Sequence, residues 1–410
     1  MTNLDFAIVD ADNHYYEPDD CFTRHIEASF ADQAVHIRRA DPVAASGDSD
    51  SANRYGAVYI GEERLKYFTA TPSDATGQPG ALQAYFKGSS GKGDALLVQG
   101  LISADDLPAS QDRSLRLQLM DVQGVEAALM FPTLAVGIEH ELRDNPPALY
   151  ANLRSFNRWL EDDWGYGQDG RSIGVPLVSL IDIDLAVAEL ERLLEAGAKA
   201  VYLKPGPLPG RSPADPIHDP FWARCEEAGI PVLFHLGNSG LTEFYAALWG
   251  EKPNPPSHRL SPFQRLTSFT ERTITDTLAA LVFHNLFGRF PKLTVASIEH
   301  GADWVPTLLR KMDRAVKMTG PRDWLFGPID DRPSEVFRRH VKVNPFPEER
   351  VQPLIDAIGI GNVLGGSDWP HPEGTASPAD LVDRMTDLSD SDLRAVLRDN
   401  TGSLIGLANA

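Results

Sequence analysis

The sequence predicts an α/β fold of the (β/α)8 TIM-barrel kind, with insertions in the βα loops after strands 1 and 5, on three observations. Eight short apolar, β-branched runs each end in a polar residue or at Gly or Pro. Amphipathic stretches of helical period separate several of them, and such alternation builds a parallel sheet covered on its outside. At 410 residues and 42% hydrophobic, the chain also has the size of one elaborated barrel, so 1–410 reads as a single domain.

In order, the runs are FAIVDAD (6–12), VEAALMF (125–131), IGVPLVSL (173–180), KAVYLK (199–204), IPVLFHL (230–236), LTVASIEH (293–300), HVKVNP (340–345) and NVLGGSD (362–368). Helices are expected at 185–198 and 219–229, each ending on a glycine suited to a C-cap. The closing segment DLSDSDLRAVLRDNTGSLIGL offers a Ser or Asp cap and an apolar stripe, and is expected to complete the outer layer.

Two stretches break the rhythm. Residues 35–108 are rich in Ser, Gly and Asp, carry a candidate hairpin at 57–68, and read as a lid-like insertion. Residues 237–273, with GNSG and KPNPPSHRLSP, follow the fifth run and suit a contact between two copies, so a homodimer is expected.

The formal charge of −20 and the pI near 4.9 oppose binding to a phosphate backbone, so nucleic acid is not an expected partner. No apolar run approaches the roughly 18 residues a membrane span needs, and the first residues lack a signal-peptide pattern; a cytoplasmic protein is the expectation. Cys21 and Cys225 read as ordinary thiols.

Chemistry enters at the strand ends. Asp12 and His14 stand two apart, so on a strand both face one side. The fifth, sixth and eighth runs end near His235, His300 and Asp368, where barrel enzymes place their catalytic groups. Two imidazoles and two carboxylates suit a divalent cation, so Asp12, His14, His235 and Asp368 are candidate ligands of one ion: zinc, with manganese as the alternative. His300 and Asp368 are the candidate acid/base groups. Lys204 closes the fourth run; it is a candidate for binding a substrate carboxylate, against a carboxylated bridge between metals or a plain ion pair. Trp369 and His371 are candidate pocket residues, and Glu17 a candidate support for a ligand imidazole. His284 reads as a packed helix histidine.

Two further motifs fail, and a third is absent. GYGQDG (165–170) leads from a helical stretch into a strand, the reverse of a dinucleotide fingerprint; HELRD (140–144) lacks the second histidine of a zincin; no G-x-S-x-G occurs.

Five segments carry a family resemblance: DADNHYYEP, FHLG, RFPKLTVASIEHGADW, GSDWPHPEG and RDNTGSLIGL. On these the chain resembles the amidohydrolase-related (amidohydrolase 2) family that includes aminocarboxymuconate-semialdehyde and γ-resorcylate decarboxylases. The resemblance places His14, His235 and Asp368 at ligand positions and His300 at the acid/base position. Many members begin the ligand set with His-x-His; here Asp12 stands first, as an acidic residue does in some family decarboxylases.

What the resemblance implies is a carboxy-lyase that removes CO2 without oxidation from a small aromatic or unsaturated carboxylic acid. The alternatives are a hydrolase of an amide, lactone or C–C bond using metal-bound hydroxide, and a barrel that only binds a ligand.

Overall fold

The computed structural model describes residues 4–39, 56–68, 71, 75–83, 100–269, 271–320 and 322–407. Seven of the eight expected runs form parallel strands: β1 (Ile8–His14), β2 (Val125–Phe131), the pair β3 (Ser172–Gly174) and β4 (Leu177–Val178), β5 (Val201–Leu203), β6 (Val232–His235), β7 (Val295–Ile298) and β8 (Val341–Val343). They make two sheets, ordered β1-β2-β3 and β8-β7-β6-β5-β4.

The third run splits at Pro176, which has no N–H to give a ladder. Val175 N still donates to Met130 O of β2, and Tyr202 N of β5 donates to Pro176 O, so the run joins both sheets.

The eighth run corrects the expectation, because 362–368 makes bridges but no strand. Val363 bridges to Val343, Leu364 N donates to Val343 O, and Ala11 N donates to Gly365 O. Gly365 and Gly366 offer no side chains to pack, and Asp368 sits at φ +55, outside extended geometry. Backbone bonds nevertheless close the ring between β8 and β1.

The outer layer follows from apolar stripes. Helix α1 (Arg113–Gln123) ends at Gly124 with φ +69, and α2 (Pro146–Asp163) starts on Asn145, whose side chain accepts from Ala148 N. The expected helices appear as α3 (Ile183–Glu195) and α4 (Asp219–Ala228); α4 is capped by Gly229 at φ +66, a conformation glycine adopts without strain. Helices α5 (Glu271–Phe283), α6 (Val305–Met318), α7 (Pro333–His340) and α8 (Gln352–Ile358) complete the layer. His284 follows α5, with Nδ1 2.7 Å from Ser212 Oγ and its ring edge-on to Phe326. The closing helical segment Asp390–Leu404 lies against β1, where Arg398 donates to Ala7 O. Among the described residues, no helix is long and apolar enough to cross a membrane.

The first insertion holds the expected hairpin: Ala57–Ile60 pairs with Glu63–Arg64, and Val35–Arg38 adds a third antiparallel strand. Residues 40–55, 69–70, 72–74 and 84–99 of the expected lid lie outside the described residues. Its segment 80–83 runs beside the loop after the eighth run, with Gly80 N donating to His371 O and Leu82 N to Pro372 O. The second insertion touches the first where Ser257 N donates to Tyr67 O.

Candidate metal centre

β1 and β6 deliver the first three candidate ligands to one point. His235 Nε2 lies 3.2 Å from Asp12 Oδ1 and 3.2 Å from His14 Nε2, and His14 Nε2 lies 3.3 Å from Asp12 Oδ1. All three side chains are buried. Asp368 Oδ1 reaches His14 Nε2 at 3.4 Å, so the fourth expected ligand joins through His14. It is the outlying member, because His371 Nδ1 holds the same oxygen at 2.6 Å. Two triads result, Asp12–His14–His235 and His14–Asp368–His371, each with donor atoms within 4.8 Å of one another.

The donor set fits a divalent cation. His235 Nδ1 stands 2.9 Å from Leu236 O, and since a carbonyl only accepts, the ring proton sits there. In the neutral ring a ligand requires, Nε2 is then a lone pair, and it faces carboxylate oxygens and a second imidazole nitrogen. A divalent cation would complete this set of carboxylate and imidazole donors. Four donors about 2.1 Å from one ion stand about 3.4 Å apart in a tetrahedron and about 3.0 Å apart at right angles. The three spacings among Asp12, His14 and His235, 3.2–3.3 Å, fall in that interval, and Asp368 meets it at His14, 3.4 Å away.

Burial, with His371 and His235 nearby, pushes the His14 pKa well below the imidazole range, so the ring is neutral as a ligand must be. Burial also raises Asp368, and the Asp12 carboxylate adds to this. For Asp12, burial acts upward but is outweighed by the close His14 and His235 imidazoles, and the net shift is downward.

Asp10 fixes the loop that carries Asp368. Its carboxylate accepts from Ser367 N at 2.9 Å, Ser367 Oγ at 2.5 Å, Asn13 Nδ2 at 2.8 Å and Asp12 N at 3.2 Å. A carboxylate so used aligns two candidate ligands at once, yet nothing in the sequence marked it beyond its place beside Asp12.

The remaining candidates divide. His300 is buried, with Nε2 lacking a partner and Nδ1 3.4 Å from Ser297 Oγ; burial lowers its pKa to about 3, so it is neutral. His371 joins the cluster directly: its ring lies 4.0 Å from that of His14, and Nε2 meets Thr133 Oγ1 at 3.0 Å. Lys204 Nζ lies 3.7 Å from Glu139 Oε1, a loose ion pair between two largely buried side chains. Trp369 is turned into packing, 2% exposed and covered by the Arg116 guanidinium 4.1 Å from its ring centroid. Arg116 itself donates to Asn13, to His14 O and to Ala109 O, so that pair braces β1. Glu17 is not set against an imidazole. Its Oε1 accepts from the backbone N–H groups of Thr133, Leu134 and Ala135 at 3.0, 2.8 and 3.1 Å and so shapes the loop after β2.

Glu299 and Glu373 were missed. Both reach Asp368, and the three form a third group of close carboxylates. Glu299 also places Oε2 3.4 Å from His235 Nε2. Glu373, exposed on the loop after Asp368, had only its position in PHPEG as a signal.

Fold and cluster together define a (β/α)8 protein whose strand ends gather side chains able to hold a cation at one mouth. A family model described as amidohydrolase matches residues 9–407, and the chain belongs to the amidohydrolase family, a family of enzymes. An amidohydrolase from Mycobacterium avium subsp. paratuberculosis K-10 is 34% identical with a TM-score of 0.87, over 98% of this chain and 100% of that one. The 2-amino-3-carboxymuconate-6-semialdehyde decarboxylase of Dictyostelium discoideum is 22% identical over 242 residues, 58% of this chain; the match spans 62% of that relative's length. A dihydroxybenzoic acid decarboxylase from Polaromonas sp. JS666, holding manganese and the inhibitor 2-nitroresorcinol, shares the fold at a TM-score of 0.58 and 17% identity, over 82% of this chain and 98% of that one.

Proposed function

We propose that this protein is a metal-dependent carboxy-lyase acting on a small aromatic or unsaturated carboxylic acid. The observation that supports it most is the bare His235 Nε2 facing Asp12 and His14, with Asp368 and its proton partner His371 adjoining. A bound divalent cation would neutralise the substrate carboxylate and a neighbouring oxygen. Asp368 and His371 hold a proton between them at 2.6 Å and deliver it to the carbon that loses CO2. In that step the C–C bond to the carboxyl group breaks, its electron pair passes into the unsaturated system, and a C–H bond forms. His300, neutral and without a partner at Nε2, is a second group able to exchange that proton. Lys204, whose ion pair with Glu139 is long, orients the substrate's anionic end.

A hydrolase reading has its own support. Glu299 and Glu373 lie beside Asp368, and this gathering of carboxyl groups suits a neutral amide or lactone better than an anion. Product analysis separates the two. With a panel of hydroxybenzoates and the metal removed and restored, the carboxy-lyase releases one CO2 per turnover and consumes no water. Turnover that is unchanged in metal-free protein removes both readings.

Residues 80–83 of the first insertion serve as a lid over this mouth, since they bond to the loop 371–373. A homodimer is proposed through the second insertion, where Phe244, Leu248, Trp249 and Leu266 are exposed. Light scattering of the purified protein reads that state.

A further inference from the structure

Three non-glycine residues among those described have positive φ: Asn285 at +54, Glu299 at +59 and Asp368 at +55. Asparagine tolerates this region through local bonding of its short side chain. Glutamate has no such relief, and the strain of a residue held there concentrates at functional sites. Asp368 is already a candidate ligand, so Glu299 is the one of the three without an account.

Strand parity sharpens the point. His235 pairs with Ile298 in register, so side chains alternating beyond β7 put His300, not Glu299, in phase with His235. The left-handed turn at Glu299 overrides that alternation and brings Oε2 to 3.4 Å from His235 Nε2. His235 cannot donate there, because its ring proton is engaged with Leu236 O. A lone pair and a carboxylate oxygen therefore meet, both buried, at the same spacing that separates the other candidate ligands. A cation shared with Asp12 and His14 would satisfy both atoms.

We infer that Glu299 is a further ligand of the cation, entering from β7 beside His235. The inference rests on the metal-centre reading above and deepens it. With Glu299 the set holds three carboxylates and two imidazoles, which exceeds the four positions of a tetrahedral zinc site and suits manganese.

The test is manganese binding by the full-length protein, read by elemental analysis after dialysis, by the EPR signal of free Mn2+ during titration, and by the thermal shift on adding metal. Glu299→Ala and the isosteric Glu299→Gln are expected to weaken Mn2+ binding about tenfold or more and to shrink the thermal shift. His300→Ala is expected to leave both unchanged. Wild-type affinity in folded Glu299→Gln overturns the inference while leaving the metal centre standing. Wild-type protein that takes up no Mn2+ or Zn2+, or Asp12→Ala and His235→Ala variants that bind as well as wild type, overturns the metal centre itself and the inference with it. Should Glu299→Ala fail to fold, by circular dichroism, Glu299→Gln carries the decision.

Discussion

At the gap between β3 and β4 the missing ladder is replaced by a neutral amide from the outer layer, whereas between β8 and β1 it is replaced by a carboxylate belonging to the barrel itself. Asn157 of α2 donates to Leu177 O and accepts from Leu177 N, both at 2.9 Å, and so completes β4 from outside. Asp10 of β1 accepts from Ser367 N and Oγ and so holds 366–368 beside Asp12. Both repairs satisfy buried backbone, but only the second positions a reactive group. A gap patched from outside is a matter of stability; a gap patched by an inward carboxylate also sets the position of Asp368.

The largest effects should fall on the second gap and the strand it faces. Asp368→Ala and His235→Ala are each expected to lose bound metal, by more than the 10–100-fold that loss of a supporting residue costs, together with turnover. His300→Ala should keep the metal and lose turnover; elemental analysis beside a CO2 assay reads all three. Next, Asp10→Ala strands several buried donors and should cost about 2–5 kcal/mol in urea unfolding, with metal affinity falling about tenfold. Asn157→Ala is expected to cost a similar 2–3 kcal/mol, about one buried pair of bonds, yet leave metal affinity unchanged. Equal loss of metal in both variants would break the contrast between the gaps.

A smaller effect concerns pH. Glu349 shapes the loop after β7 by accepting from Ala302 N, Phe346 N and Asp303 N, and burial raises its pKa from 4.5 to about 7. The folded protein thus keeps this proton between pH 4.5 and 7, where the unfolded chain has released it. Its contribution is full below pH 4.5 and is lost as pH rises to 7. Glu349→Gln should flatten that decline in the urea midpoint, whatever its constant cost. The smallest change is expected at Pro176→Ala, within about 1 kcal/mol, since Val175 and Pro176 already join both sheets.

Much of the architecture was legible because periodicity reports it. Seven runs became strands and both expected helices ended at their glycines, Gly197 and Gly229, each with positive φ. The same logic brought Asp12, His14 and His235 together, since residues at the carboxyl ends of neighbouring strands share one mouth. It failed where backbone leaves regular geometry. The run 362–368 was read as a strand from its apolar residues, but its glycines and the turn at Asp368 defeat a ladder. Glu299 was passed over because alternation puts His300 in phase with His235, and the left-handed turn that brings Glu299 to His235 leaves no local pattern. Glu17 and Trp369 were assigned to the site from position alone; backbone N–H groups claim the first and a guanidinium the second.

The sequence by itself determined the strand–helix alternation, the caps and the identity of the strand-end side chains, because these depend on period and on single-residue preference. Only the tertiary structure decided which carboxylates turn inward, which imidazole nitrogen is bare, and which polar groups brace the backbone instead. Those outcomes depend on φ at single residues and on competition between partners more than a hundred positions apart, and no local pattern records either.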